Sequence, residues 1–176
     1  MVEILFRDAD IADASAIAAL HVASWRDAYA AILDPAFLAG PIEAERLDLW
    51  CARLTKPPPG LLVRAALEAD QKLVGFVCAY RDRDPRWGSL IDNLHVAPGR
   101  RGGRIGERLL REAARGLIAE NAQQGLHLWV FEANTGGRRF YERLGGQVVD
   151  AEPSEIPAAD GKTVLRVHWP RLAALA

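Results

Sequence analysis

The chain has 176 residues, half of them hydrophobic, and 22 Lys plus Arg balance 23 Asp plus Glu for a formal net charge of -1. That length suits one domain with a buried core, and the balance leaves no overall field that would select a nucleic acid or an anionic membrane. Cys51 and Cys78, with no CxxC spacing, exclude a disulfide-dense secreted scaffold and fit a reducing cytoplasm.

The opening MVEILFRDAD carries acids and no long apolar core, unlike a signal peptide, and no later apolar run approaches a membrane span; a soluble, cytoplasmic protein is expected. MVEILFRDA predicts a first strand. DIADASAIAALHVASWRDAYAAI then places Ile17, Leu20, Trp25 and Tyr29 at roughly helical spacing behind the capping candidates Asp10 and Asp13. A second helix is predicted from Glu43 to Leu54, stopped by the loop Lys56-Pro57-Pro58-Pro59-Gly60. LLVRAALEA and KLVGFVCAYRD, joined by an acidic turn containing Asp70, alternate like antiparallel strands, and SLIDNLHVA completes a meander after RDPRWG. GERLLREAARGLIAENAQQG sets Leu109, Leu110, Ala113 and Leu117 on one helical face, with Gly125 as its C-terminal stop. The strand LHLWVF, a helix from Thr135 to Leu144, and two closing strands, VVDAEP and KTVLRVHW, joined by a Pro-containing hairpin, complete the chain. The order predicts a mixed α/β domain of the α+β type.

The segment VAPGRRGGRIGERLL, residues 96–110, holds four arginines and four glycines. A strand running through such a turn into a helix gathers backbone N–H groups and the positive end of a helix dipole at one point, which favours an anion. Gly102, Gly103 and Gly106 let the backbone approach a bulky phosphate, and the arginines add charge. The P-loop pattern GxxxxGK followed by Ser or Thr is absent, and GxGxxG is not met, because the glycines fall at 102, 103 and 106 after a late strand.

The segment resembles the acyl-CoA loop of the GNAT superfamily of N-acetyltransferases: a strand ending in Val-x-Pro, two residues, then Arg or Gln, x, x, Gly, x, Gly or Ala. Val96, Pro98, Arg101 and Gly106 match, whereas the usual inner glycine is Arg104, with Gly103 one place earlier. The opening strand and long helix are similar to the family's start. LHLWVFEANTGGRRFYERLGGQVV is similar to its later signature, with Gly137 where a small Ala is usual and Gln147 where an aromatic is usual. This resemblance implies one domain over residues 1–176, with a central, mostly antiparallel sheet splayed where acyl-CoA enters and flanked by helices. It implies acetyl transfer from acetyl-CoA to an amine of a small molecule or peptide, without metal, nucleic acid or membrane, and leaves room for a homodimer. By the same comparison Leu94, His95 and Val96 hold the pantetheine arm, and Arg101, Gly102, Gly103, Arg104, Ile105 and Gly106 surround the pyrophosphate. Asn134 lies near the pantetheine and Tyr141 near the sulfur.

The chemistry places two demands on these residues. An alkylammonium of pKa about 10.4 costs roughly 4–5 kcal/mol to present as a neutral nucleophile at pH 7, so a base or a desolvating pocket is needed. The departing sulfur needs a proton, which a tyrosine such as Tyr141 can donate. Asp92, on the strand entering the loop, is a candidate base. His95 titrates in a useful range, but strict alternation sends it to the opposite face unless a bulge intervenes. Trp25, Tyr29, Trp129 and His168 are read as packing residues that could line an acceptor pocket. A non-catalytic acyl-CoA-binding module and an arginine-based nucleic-acid-binding domain are the competing expectations.

Overall fold

A computed structural model describes residues 3–176. Its first strand, β1, spans Ile4–Asp8, so Met1 and Val2 of the predicted strand lie outside the described residues. A 3-10 turn, Ile11–Asp13, leads into α1, Ala14–Ala28. Asp10 and Asp13 cap that turn reciprocally, and the Asp13 carboxylate also receives both Arg7 terminal nitrogens at 2.7 and 2.8 Å, which holds it below the usual carboxylate range. The predicted first helix ends four residues early. A short α2, Pro35–Ala39, follows, started by Asp34, whose Oδ1 accepts from Ala36 N–H at 2.8 Å, and by Pro35 at the first helical position. Then come α3 (Pro41–Thr55), β2 (Leu61–Glu68), β3 (Leu73–Asp84) and β4 (Gly88–Val96). The chain closes with α4 (Ile105–Ala119), β5 (Leu126–Phe131), α5 (Thr135–Arg143), β6 (Gln147–Pro153) and β7 (Thr163–Trp169).

The strands form one seven-stranded sheet in the order β1-β2-β3-β4-β5-β7-β6. Every pairing is antiparallel except β4 with β5, which run parallel and pair only through Ser89–Ile91 with Leu126–Leu128. Beyond Ile91 the two strands part, and the edge of β4 that faces β5 has no strand partner. The predicted splay is therefore present.

Both faces of the sheet carry apolar residues, so both need cover. On one face α4 buries Leu109, Leu110, Ala113 and Leu117 completely, each leucine contributing roughly 2 kcal/mol against β2, β3 and β4. The other face packs α1 and α3 through Ile17, Trp50 and Phe76.

Gly125 does not stop α4, contrary to its predicted role. The helix ends at Ala119, and Asn121 takes the left-handed conformation just after it, at φ 60°. Gly125 is needed for close approach instead: a Cβ there would lie 2.2 Å from the Trp169 carbonyl oxygen. Gly88, at φ +83°, would bring its own Cβ to 2.3 Å from the Gly125 oxygen, which accepts the Ser89 N–H at 2.9 Å. These two glycines let the starts of β4 and β5 lie beside the end of β7. Gln147 is exposed, and the place of a larger side chain at Gly146 is taken by Trp169 of β7, whose Nε1 donates to the Leu144 carbonyl at 2.9 Å.

Candidate active site

Where β4 leaves β5 it also bulges. Asn93 pairs with Cys78 and Ile91 with Ala79, so Asp92 is the extra residue. The bulge breaks strict alternation and brings Asp92 to the side of the sheet that Asn93 and His95 face. Arg53 of α3 secures it: its Nη1 lies 2.7 Å from Asp92 Oδ2, 3.2 Å from Asn93 Oδ1 and 3.8 Å from Cys78 Sγ. Its guanidinium carbon stands 5.2 Å from the Trp50 ring and 5.7 Å from the Tyr80 ring. Farther along the strand, the His95 ring is 4.7 Å from His21 and 5.4 Å from Phe76.

After Val96 the chain makes a 3-10 turn, Pro98–Arg100, and two left-handed residues, Gly102 at φ 87° and Arg104 at φ 58°, before α4 starts. No side chain caps that helix, so its first N–H groups point at the turn. The arginine cluster is largely structural. Arg100 Nε is 2.6 Å from Glu68 Oε1, Arg101 is paired with Asp27 of α1, and Arg108 lies over the Phe6 ring at 4.3 Å. Among the described residues Arg104 makes no ion pair.

Opposite the turn, Asn134 caps α5, its Oδ1 accepting from Gly137 N–H at 3.0 Å. Glycine at 137 allows this fold-back, because a Cβ there would meet Asn134 Nδ2 at 2.7 Å. Tyr141, one helical turn on, stands edge-on to Trp169 at 6.1 Å, and burial raises its phenol pKa. The phenol is therefore protonated at neutral pH. Burial also raises Tyr29, which meets Phe131 edge-on at 5.2 Å.

A groove of about 450 Å³ runs along the turn and α5. A second, of about 380 Å³, opens between the parted strands and Ile156, and the two meet at Tyr29, Leu94, His95 and Tyr141. Leu94, His95, Val96, Arg101, Gly102, Arg104, Ile105, Gly106, Asn134 and Tyr141 all line the first groove, whereas Gly103 does not. Asp92 lines the second groove and a third, of about 450 Å³, beyond it. Sequence reasoning passed over Ser24, on the wall of the first groove, whose buried Oγ has no hydrogen-bond partner. Its position directly before the inward Trp25 was the available signal. Among the described residues no three metal-ligating side chains cluster, and no helix is long and apolar enough to cross a membrane.

Acid should loosen this assembly. Burial, with Arg101 nearby, pushes His95 down to about 3; burial and Arg166 push His127 down to about 4, and burial holds His21 well below its ordinary value. Each folded value lies below the unfolded value of about 6.5, so the unfolded chain takes up protons first as pH falls. The stabilisation is complete above pH about 6.5 and drains away toward about 4 for His127 and about 3 for His95. Calorimetry should show at least about 1 kcal/mol lost between pH 6.5 and 5, with His127→Gln flattening part of the slope. Equal melting temperatures across that interval would refute this account.

Comparison with known proteins adds the family. The profile described as "Acetyltransferase (GNAT) family" matches residues 22–146. A search of curated proteins found no match. The fold is similar to that of the PaiA N-acetyltransferase from Thermoplasma acidophilum, solved with coenzyme A, at 20% identity and TM-score 0.75, covering 95% of this chain and 99% of that one. It is also similar to Arabidopsis thaliana NAA60, solved with a bisubstrate analogue, at 18% identity and TM-score 0.70, covering 96% and 98%. The ribosomal-protein-S18-alanine N-acetyltransferase from Escherichia coli is similar at 17% identity and TM-score 0.67, covering 96% and 94%.

Proposed function

The chain belongs to the GNAT family of acetyltransferases, and on that footing we propose that residues 1–176 act as one domain transferring acetyl from acetyl-CoA to an amine by direct attack in a ternary complex. The observation that carries this reading is the meeting of two grooves at Tyr29, Leu94, His95 and Tyr141, with the unpaired edge of β4 between them. The first groove suits acetyl-CoA: left-handed turns aim backbone N–H groups, a Cβ at Gly102 would meet nothing within 4 Å, and Ser24 Oγ lacks a partner. Backbone groups of Leu94 and Val96 would hold the pantetheine arm as a neighbouring strand would. The second groove takes the acceptor.

Tyr141 donates the proton that the departing sulfur needs, its hydroxyl kept in the acid form by burial. Asp92 relays the proton from the amine through water; Arg53 occupies its Oδ2, and Oδ1 faces no protein donor among the described residues. His95, neutral through the physiological range, shapes the junction. A covalent route through Cys78 is disfavoured, because burial pushes its thiol up to about 12. Both cysteines are free thiols, which suits a reducing cytoplasm. Support for an amine acceptor also comes from the N-acetyltransferases among the structural neighbours.

A screen of small amines and peptides with acetyl-CoA, following thiol release, tests the reading. Tight acetyl-CoA binding with no turnover on any amine would return the chain to a non-catalytic acyl-CoA-binding role. The turn offers a separate test. Arg104 sits in the left-handed region, at a cost of about 1 kcal/mol that glycine avoids, so Arg104→Gly should melt about 2–4 °C higher. Its acetyl-CoA affinity should stay within about threefold, because backbone groups make the contacts. A tenfold loss by calorimetry would assign phosphate binding to the guanidinium instead.

A further inference from the structure

Charge changes sign along the acceptor side. At the junction with the first groove the shared residues are uncharged side chains, and the charged residues lining the second groove are all acidic: Asp92, Glu152 and Glu155. Beyond the second groove, guanidinium groups line the third cavity, which shares Trp25, Asp92, Asn93, Glu155 and Ile156 with the second. There Arg46 and Arg53 project from the same face of α3, two turns apart, with Leu49 between them.

The two arginines are differently served. Arg53 is committed to the bulge through Asp92 and Asn93. Arg46 has only 19% of its side chain exposed and lies over the Trp25 ring at 5.2 Å, yet its nearest carboxylate is the half-exposed Glu45 next to it in the helix, at 3.4 Å. Its Nε is buried with no hydrogen-bond partner. Burial outweighs Glu45 and lowers its pKa. A half-buried cation with an orphan donor, facing a cavity that opens into the acceptor groove, is a site for an anion. The neighbouring Glu45 and Glu155 would repel a dianion such as phosphate, so a singly charged carboxylate fits better.

We propose that the acceptor is a zwitterion, its ammonium drawn by the acidic residues of the second groove and its carboxylate bound by Arg46. The proposal rests on the transferase reading above and names the acceptor's chemical class. The junction at His95 and the start of the third cavity at Asn93 are two strand residues apart, roughly 7 Å, so the amine and carboxylate are separated by more than one carbon. Trp25, Phe37, Leu49 and Ile156 line the way and favour an apolar connection.

The test uses leucine, leucyl-leucine and 6-aminohexanoate, each against its amide, with saturating acetyl-CoA and thiol release as readout. The longer two acids should exceed their amides in kcat/KM at least tenfold, and leucine should show the smallest preference. Arg46→Met, which keeps an apolar stem over Trp25, should erase the preference, Arg46→Lys should keep part of it, and acetyl-CoA affinity should not change in either. Amides used as well as acids, or a preference that survives Arg46→Met, would overturn the proposal. Should none of the six be acetylated, calorimetry of the same pairs on CoA-loaded protein decides: tighter binding of the acids, lost in Arg46→Met, supports the site, and equal or absent binding overturns it. Failure to bind acetyl-CoA at all would strike the transferase reading itself.

Discussion

Tyr141→Phe is expected to lower kcat roughly 100-fold while leaving acetyl-CoA affinity nearly unchanged. The substitution deletes one hydroxyl and keeps the ring that packs against Phe140 and Trp169, so a packing role predicts almost no effect on turnover. Two partly buried tyrosines stand at the junction, and their surroundings separate them. Tyr29 is held edge-on between Trp25 and Phe131, whereas the Tyr141 hydroxyl has no hydrogen-bond partner among the described residues and occupies the position of the tyrosine that the family resemblance puts near the sulfur. Tyr29→Phe should therefore cost less than tenfold. The measurement needs a working acceptor, a single-turnover experiment to establish that chemistry limits the rate, and cofactor binding measured alongside. A kcat within twofold of the parent across neutral pH would remove Tyr141 from the reaction.

A large effect on stability is expected at Gly125. In Gly125→Ala the new methyl meets backbone on a neighbouring strand, the Trp169 oxygen at 2.2 Å, and the His168 ring nitrogen at 3.0 Å. A side chain can rotate away from such a clash, but a paired strand cannot, so the loss should reach about 3 kcal/mol or more. For a chain of this size that lowers the melting temperature by roughly 6–12 °C. Gly103→Ala is the contrast, since its Cβ would find nothing nearer than 3.7 Å and should cost under about 1 kcal/mol. Comparable melting of the two variants would show that the start of β5 yields more readily than its geometry implies.

The helices and strands were legible because the burial they achieve is written in periodicity: Leu109, Leu110, Ala113 and Leu117 recur at helical spacing and are wholly buried. The mostly antiparallel sheet and its splay came through the family resemblance, and the strand order came only with the structure, since which strands pair is a long-range matter that local pattern does not carry. Gly125 was misread because a glycine after a helical pattern looks alike whether it reverses the chain or clears another strand's backbone. The arginine cluster read as one electrostatic feature, yet Glu68, Asp27 and Phe6, which take up three of its members, come from β2, α1 and β1. The bulge at Asp92 could be named only as a condition, because a single inserted residue leaves no mark on composition. Arg46, seven residues from Arg53 in an exposed-looking helix, gave no sign that it lay over Trp25.

The parting of β4 from β5 has a consequence for the lifetime of the protein. Four strands on one side and three on the other are joined, as a sheet, by the pairs Ser89–Leu126, Leu90–His127 and Ile91–Leu128. On the placement proposed above, a pantetheine arm laid along the free edge of β4 would close that seam from within and reinforce the short stitch between the two parts of the sheet. At a concentration 100 times the dissociation constant, such a ligand adds about 2.7 kcal/mol to the stability of the fold. Where proteases sample the opened state, that corresponds to roughly a hundredfold difference in its population. On that placement the supply of acyl-CoA would govern how long the enzyme persists as well as how fast it works.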